Sequence, residues 1–177
     1  NFRETHSWNW KTHPQLTNTM DTHALTQKLL SHINVSRAES KLEALENDME
    51  ACAIATSWCA ALSEFSLSSP CFPNKPASER YYRGGVRGFS GEFVGGIDGF
   101  QIQDMDQAWT MIRKIYEEQI SSSEIAERLL AFGSITHAGI GIHMKEGRIR
   151  VAVAFVTKYG TVSPVASSWI SKEGIFL

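Results

Sequence analysis

The densest run of side chains able to do chemistry is Arg80-Tyr81-Tyr82-Arg83-Gly84-Gly85-Val86-Arg87-Gly88-Phe89. Arginines interleaved with aromatics and glycines can hold phosphates while bases stack on the rings. The same composition also makes an ordinary glycine-rich loop whose arginines are solvated or meet acidic groups. A P-loop is excluded, because no Gly-x-x-x-x-Gly-Lys pattern links a strand to a helix. Net charge offers no argument for a polyanion partner. Seventeen Lys and Arg stand against 19 Asp and Glu, a formal net charge of −2, so no global field draws nucleic acid or anionic membrane. A plain loop is the default reading, an acidic protein partner comes next, and nucleic acid or another anion ranks last.

His137 and His143 lie on a segment of period two, which puts both imidazoles on one face of a regular strand. We read them as strand histidines rather than metal ligands or a catalytic pair. No Ser or Cys stands in a recognisable nucleophile context, and no cofactor is expected. Cys52 and Cys59 fall on one expected helix about two turns apart, too far to bond each other. Cys71 lies in a Pro-rich stretch. Three free thiols, with Cys59 an inert buried one, suit an intracellular reducing compartment: cytoplasm, cytoskeleton or cilium, or an organelle. Asn34-Val35-Ser36 matches a glycosylation sequon, a motif short enough to arise by chance.

The elements that must position these residues centre on a hairpin. Ile140, Ile142 and Met144, then Ile149, Val151, Val153 and Phe155, alternate with small or polar residues, and Glu146-Gly147 supplies the turn. A short helix is expected from Thr22 to Ile33. A long one follows from Ser36 to about Phe65, capped by Asn34 or Ser36, with Leu42, Leu45, Met49, Cys52, Ala53, Thr56 and Ala60 on its stripe. Residues 66–103 read as a long connection broken by prolines and glycines. Helices follow over about 105–119, with Ala108, Trp109, Ile112, Ile115 and Tyr116 on one stripe and Asp104 or Asp106 as cap, and over 121–131, capped by Ser121 to Ser123. The 177 residues, 42% hydrophobic and 20% charged, suit one globular domain plus extra length. No apolar run approaches the ~20 residues of a membrane span.

Residues 1–30 form an N-terminal arm with a short helix, and 161–177 a tail. The arm carries Trp8 and Trp10; the tail carries Trp169, Ile170, Ile175 and Phe176. Large apolar side chains outside regular elements fill pockets, on their own domain or on a partner. Trp8, Trp10, Trp169 and Phe176, with Arg80, Tyr81, Tyr82, Arg83 and Arg87, are the candidate partner contacts.

The order of short motifs over 31–160 resembles a family. Ile33-Asn34-x-x-Arg37 with Leu42, Leu45, Asp48, Met49 and Ala53 resembles the first helix of the CAP superfamily (cysteine-rich secretory, antigen-5 and pathogenesis-related proteins, the SCP domain). Phe65-Ser66-Leu67-Ser68-Ser69-Pro70 resembles its Phe-Ser-His-x-Ser-Pro. Gly91-Glu92-Phe93-Val94 resembles its Gly-Glu-Asn-Ile, Ala108-Trp109 the start of its next helix, and Leu129-Leu130 with His137-Ala138-Gly139-Ile140-Gly141 its entry into the central strand. The resemblance implies an α+β, three-layer α-β-α sandwich with a small, largely antiparallel sheet. It also implies a cleft where two His and two acidic residues hold a divalent metal. Leu67 stands where the first His belongs and Ile125 near the second. Glu92 is the acidic residue in place, and Glu117 or Glu118 a candidate second. Zinc needs converging imidazoles or thiolates, so the remnant cleft Leu67, Glu92, Glu117, Ile125 reads as degenerate.

Two function classes follow. The preferred one is a non-enzymatic CAP-like module serving as a structural or protein-interaction subunit of a larger assembly. The alternative is a secreted CAP protein holding a lipid, sterol or metal in its cleft.

Overall fold

The computed structural model describes residues 21–69 and 76–157. In chain order these form α1 (Thr22–Glu39), β1 (Glu46–Asn47), α2 (Met49–Ser63), α3 (Ala77–Arg83), β2 (Phe89–Ile97), α4 (Met105–Ile115), which continues as a π-helical turn (Tyr116–Ile120), α5 (Glu124–Leu130), β3 (Ile135–Lys145) and β4 (Arg148–Thr157). The expected hairpin is β3 and β4. Its turn places Glu146 at φ 49° and Gly147 at φ 75°, the positive pair that matches the twist of two antiparallel strands. Strand order is β1-β3-β4-β2. β1 runs parallel to β3, and the other pairings are antiparallel.

Side-chain alternation gives the sheet two buried faces. On one, Ala138, Ile140, Ile142, Ile149, Val151, Val153 and Phe155 meet Leu25, Leu29 and Ile33 of α1, Ile112 and Ile115 of α4, and Leu129 of α5. On the other, Ala152, Ala154 and Val156 meet α2 and α3 through Ala51, Ala55, Cys59, Ala77 and Tyr81. α2 lies so close that a Cβ on Gly141 would sit 2.2 Å from the Ala55 carbonyl carbon, and one on Gly139 2.3 Å from the Ala51 Cβ. The glycines in this strand admit a helix backbone. The result is the expected three-layer α-β-α sandwich.

The single helix expected over 36–65 is instead the end of α1, a short strand, and α2. α1 begins earlier, with Asp21 accepting from the Ala24 N–H at 3.1 Å, and ends at Glu39; Lys41 follows in the left-handed region at φ 58°. Asn34 does not cap a helix. Its amide clasps the main chain of Leu45, donating to the carbonyl at 3.0 Å and accepting from the N–H at 2.7 Å. That engagement holds the sequon asparagine against its own domain. Arg37, 2% exposed, donates to the carbonyls of Glu43, Leu130 and Ile135 and so ties together three segments of the chain. Asp48 then caps α2 at the Ala51 N–H, 2.8 Å. The buried stripe of α2 is Ala51, Ala55, Trp58, Cys59 and Leu62, while Met49, Ala53 and Thr56 are exposed.

The expected connection 66–103 contains α3 and β2. Gly91, Gly95 and Gly96 disguise the strand as a loop. Gly95 lacks a Cβ for a packing reason: one would lie 2.6 Å from the Ile115 side chain. The helices after residue 104 are as expected, with Asp104 capping α4 at Gln107 and Ser123 capping α5 at Ala126. The arm before residue 21, the tail after 157 and Cys71 lie outside the described residues.

Candidate functional site

β2 points Glu92 toward the layer of α2 and α3. Its carboxylate is 1% exposed. Arg80 of α3 reaches it with both terminal nitrogens, Nη2 to Oε2 at 2.5 Å and Nη1 to Oε1 at 3.3 Å, and the Tyr81 hydroxyl donates to Oε1 at 2.5 Å. The guanidinium also lies over Trp58, 4.0 Å from ring centre, so an aromatic face stabilises the cation from behind. Burial, then the Glu92 charge, push the Tyr81 phenol up, which keeps it a hydrogen-bond donor. Tyr81 in turn stacks on Phe89 at 4.4 Å.

This arrangement does not fit a metal. The two carboxylate oxygens already accept three charge-assisted or short hydrogen bonds, and Arg80 supplies the compensating charge. Among the described residues no group of three or more His, Cys, Asp or Glu could hold an ion. His137 and His143 sit at opposite ends of β3, the first 3.5 Å from Glu46 and the second by Lys145 and Glu64.

A second buried cation lies further along the same layer. Arg150 of β4 is fully buried and sits 2.7 Å from Asp98. It also donates to the carbonyls of Phe65, Ile97 and Ile149. Burial pulls the Asp98 carboxyl up, but contacts with the Leu67 N–H, Arg150 and Ser66 outweigh it and hold the group below the usual range. Asp98 thereby fastens the 66–67 turn to the end of β2. Between these groups is a cavity of about 210 Å³ lined by Trp58, Leu62, Leu67, Val94, Gly95, Gly96, Gln119 and Arg150. Trp58 Nε1 and Arg150 Nε are buried and without an acceptor.

The four remnant-cleft residues do not converge. Leu67 lines the cavity and Glu92 is sealed under Arg80. Glu117 pairs with His32 of α1 at 3.2 Å, and Ile125 packs in the opposite layer. Of the Arg/Tyr run, Arg80 and Tyr81 turn inward, so Tyr81 offers no surface to a partner; Tyr82, Arg83 and Arg87 are exposed. Only the first part of the run is helix: Arg80–Arg83 close α3, which starts after Pro76, and turns over 84–88 lead into β2 at Phe89. Trp58, Asp98, Gln119 and Arg150 escaped the sequence reading. Arg150 left the only signal, an arginine alternating with alanines inside an apolar strand. Cys52 and Cys59 are free thiols; burial pushes both up, and Cys59 donates to the Gly141 carbonyl.

Layer order, a largely antiparallel four-stranded sheet and a Gly-Glu strand under α2 and α3 define an SCP-type fold. Solved structures share it. An extracellular SCP-domain protein of Bacillus anthracis matches with a TM-score of 0.55 at 20% identity, over 83% of this chain and 45% of that one. An outer surface protein of Borrelia burgdorferi matches with a TM-score of 0.57 at 14% identity, over 80% and 98%. A cysteine-rich secretory protein of Staphylococcus aureus matches with a TM-score of 0.51 at 15% identity, over 80% and 41%. The chain thus spans less than half the length of the Bacillus and Staphylococcus proteins. No protein-family model matches the sequence, and no curated protein is similar enough to count as a relative. These neighbours are extracellular or outer-surface proteins and lend no support to the expected intracellular compartment. Among the described residues no helix is long and apolar enough to cross a membrane.

Proposed function

We propose that this chain is a non-catalytic SCP-like module that acts by docking to protein, as a structural or interaction subunit of a larger assembly. The observation that carries the reading is the state of Glu92. The one acidic residue the family motif puts in place is buried and shared between Arg80 and Tyr81, so it is free neither to bind a metal nor to move a proton. Tyr82, Arg83 and Arg87 are exposed on and after α3; Arg83 pairs with Glu79 at 2.5 Å, and Tyr82 with Arg87 offers an aromatic and cationic contact to an acidic protein partner. The extracellular neighbours favour a location outside the cell.

The test uses two variants of the full chain, Trp8→Ala/Trp10→Ala and Tyr82→Ala/Arg83→Glu/Arg87→Glu. Loss of retention in the native complex at unchanged melting temperature is the expected result for at least one. Full retention with both, or a lowered melting temperature alone, removes these surfaces from consideration. A second reading, a small apolar ligand, rests on the cavity beside Leu67; native mass spectrometry of protein from its source would show a bound mass.

A further inference from the structure

β2 ends the strand order β1-β3-β4-β2, and its outer edge has no strand partner among the described residues. Register fixes which groups face out. The two-residue turn at 146–147 makes Lys145 and Arg148 a hydrogen-bonded pair, and alternation makes His143 and Arg150 another. The main chain of Arg150 is therefore spent on β3. Its opposite number across the other seam, Gly96, must turn its N–H and C=O outward. The hydrogen bonds agree: both go to the side-chain amide of Gln119, at 2.9 and 3.1 Å. Counting by twos, Val94 and Glu92 point their N–H and C=O the same way. Glu92 supports this independently. Its side chain is 1% exposed while the residue as a whole is only half-buried, so what solvent reaches is main chain.

Gln119 shows what this edge accepts. A carboxamide carries the donor and acceptor of a peptide group, and here it occupies the place of a residue on a neighbouring strand. Directly beside the edge lies the cavity bounded by Val94, Gly96, Leu67 and Trp58, with the acceptor-less Trp58 Nε1 and Arg150 Nε in its wall. Outward main-chain pairs next to a side-chain pocket are the parts of strand addition, in which the backbone supplies affinity and the pocket supplies selectivity.

We propose that the outer edge of β2 is a docking site for an extended peptide segment of another protein, which pairs with Glu92 and Val94 as a fifth strand and seats an apolar side chain in the cavity beside Leu67. This rests on the docking-module reading and names its class of partner. A second copy pairing through its own β2 fits worse, because the large side chains of that strand are already committed. Phe89 is stacked on Tyr81, Glu92 is on Arg80 and Phe93 is against Phe155, which leaves none for the cavity.

The test pans a phage-displayed library of random linear peptides on the full chain and remakes the enriched sequences as free peptides. Val94→Pro removes one outward N–H and leaves the β4 ladder intact, since proline is tolerated on an edge. It should weaken binding by about tenfold, the worth of one hydrogen bond, at a similar melting temperature. Leu67→Asp, at the exposed mouth of the cavity, should weaken it as well. A backbone N-methylation scan of the peptide needs no protein variant, and it should abolish binding at alternate positions only. The proposal is overturned if the wild-type chain enriches no peptide, or if binding ignores both Val94→Pro and N-methylation. The second outcome leaves the docking-module reading intact on another surface, which the arm and α3 variants probe separately.

Discussion

On one face of the sheet, Ile140, Ile142, Val151, Val153 and Phe155 meet α1, α4 and α5 through branched and aromatic side chains. On the other, Gly139, Gly141, Ala152 and Ala154 let α2 approach to backbone contact, and the space at its flanks is filled by Arg80 with Glu92 and by Arg150 with Asp98. The first face is held by area removed from water and tolerates small changes of shape. The second is held by close approach and by charges that are stable only in pairs. The Gly-Glu segment that resembles the SCP motif lies on the second face, and its carboxylate is part of the packing.

The largest effects should come from breaking a buried pair. Glu92→Ala leaves the Arg80 cation buried with no partner and is expected to cost about 3–5 kcal/mol in chemical denaturation. Replacing both members, as Arg80→Met with Glu92→Leu, should recover most of that loss. A single variant as stable as wild type would show that the pair does not hold this face. Elemental analysis of the purified protein should find no stoichiometric zinc; about one zinc per chain, lost on Glu92→Ala, would overturn the reading of the carboxylate.

Next in size is close approach. Gly141→Ala puts a methyl where the Ala55 carbonyl carbon and Thr56 N lie at 2.2 and 2.4 Å and should cost about 1–3 kcal/mol through overpacking. Ile140→Val, one residue away but on the aliphatic face, should cost about 0.5–1.5 kcal/mol. The ordering of these neighbours is the informative outcome, and a reversed order would mean the faces do not differ in tolerance. Thiol labelling of the native protein should modify Cys52 faster than Cys59, because burial pushes the Cys59 thiol up and closes it off.

The smallest effect is a pH dependence at the end of β3. Burial, then Lys145, lower His143 from its usual value, with Glu64 opposing. A depressed histidine binds protons less well folded than unfolded. Its stabilising contribution is therefore complete above the unfolded value near 6.5 and is lost as pH falls through that value toward the folded one. His143→Gln should flatten the melting temperature between pH 7 and pH 5 relative to wild type, and an unchanged slope would remove His143 as its source.

The hairpin of β3 and β4, the stripe of α4 and the caps at Asp104 and Ser123 were legible because each is written in a few consecutive residues: period two, period three to four, and an acidic or hydroxyl side chain at the right offset. The layer order was legible through the resemblance of motif order. The break between α1 and α2 was not, since Leu42, Leu45 and Met49 continue the helical spacing without interruption. What ends α1 there is the clasp of Asn34 on Leu45 and the Arg37 bonds to Leu130 and Ile135, contacts made across the fold. β2 was hidden for a related reason. Its glycines serve neighbours that arrive later in the chain: Ile115 at Gly95 and Arg150 at Gly96.

The sequence by itself determined where local hydrogen bonding and amphipathic period start and stop, because those preferences are satisfied within one or two turns of chain. It also set Glu92 in a Gly-Glu motif, with Leu67 and Ile125, which cannot coordinate anything, where the resemblance puts imidazoles. Only the tertiary structure decided what became of that carboxylate. Arg80 looked like a surface arginine among aromatics and glycines; folding carries it over Trp58 and onto Glu92. A buried charge must find its opposite, and which one it finds is set by strands and helices that meet only once the sandwich has closed.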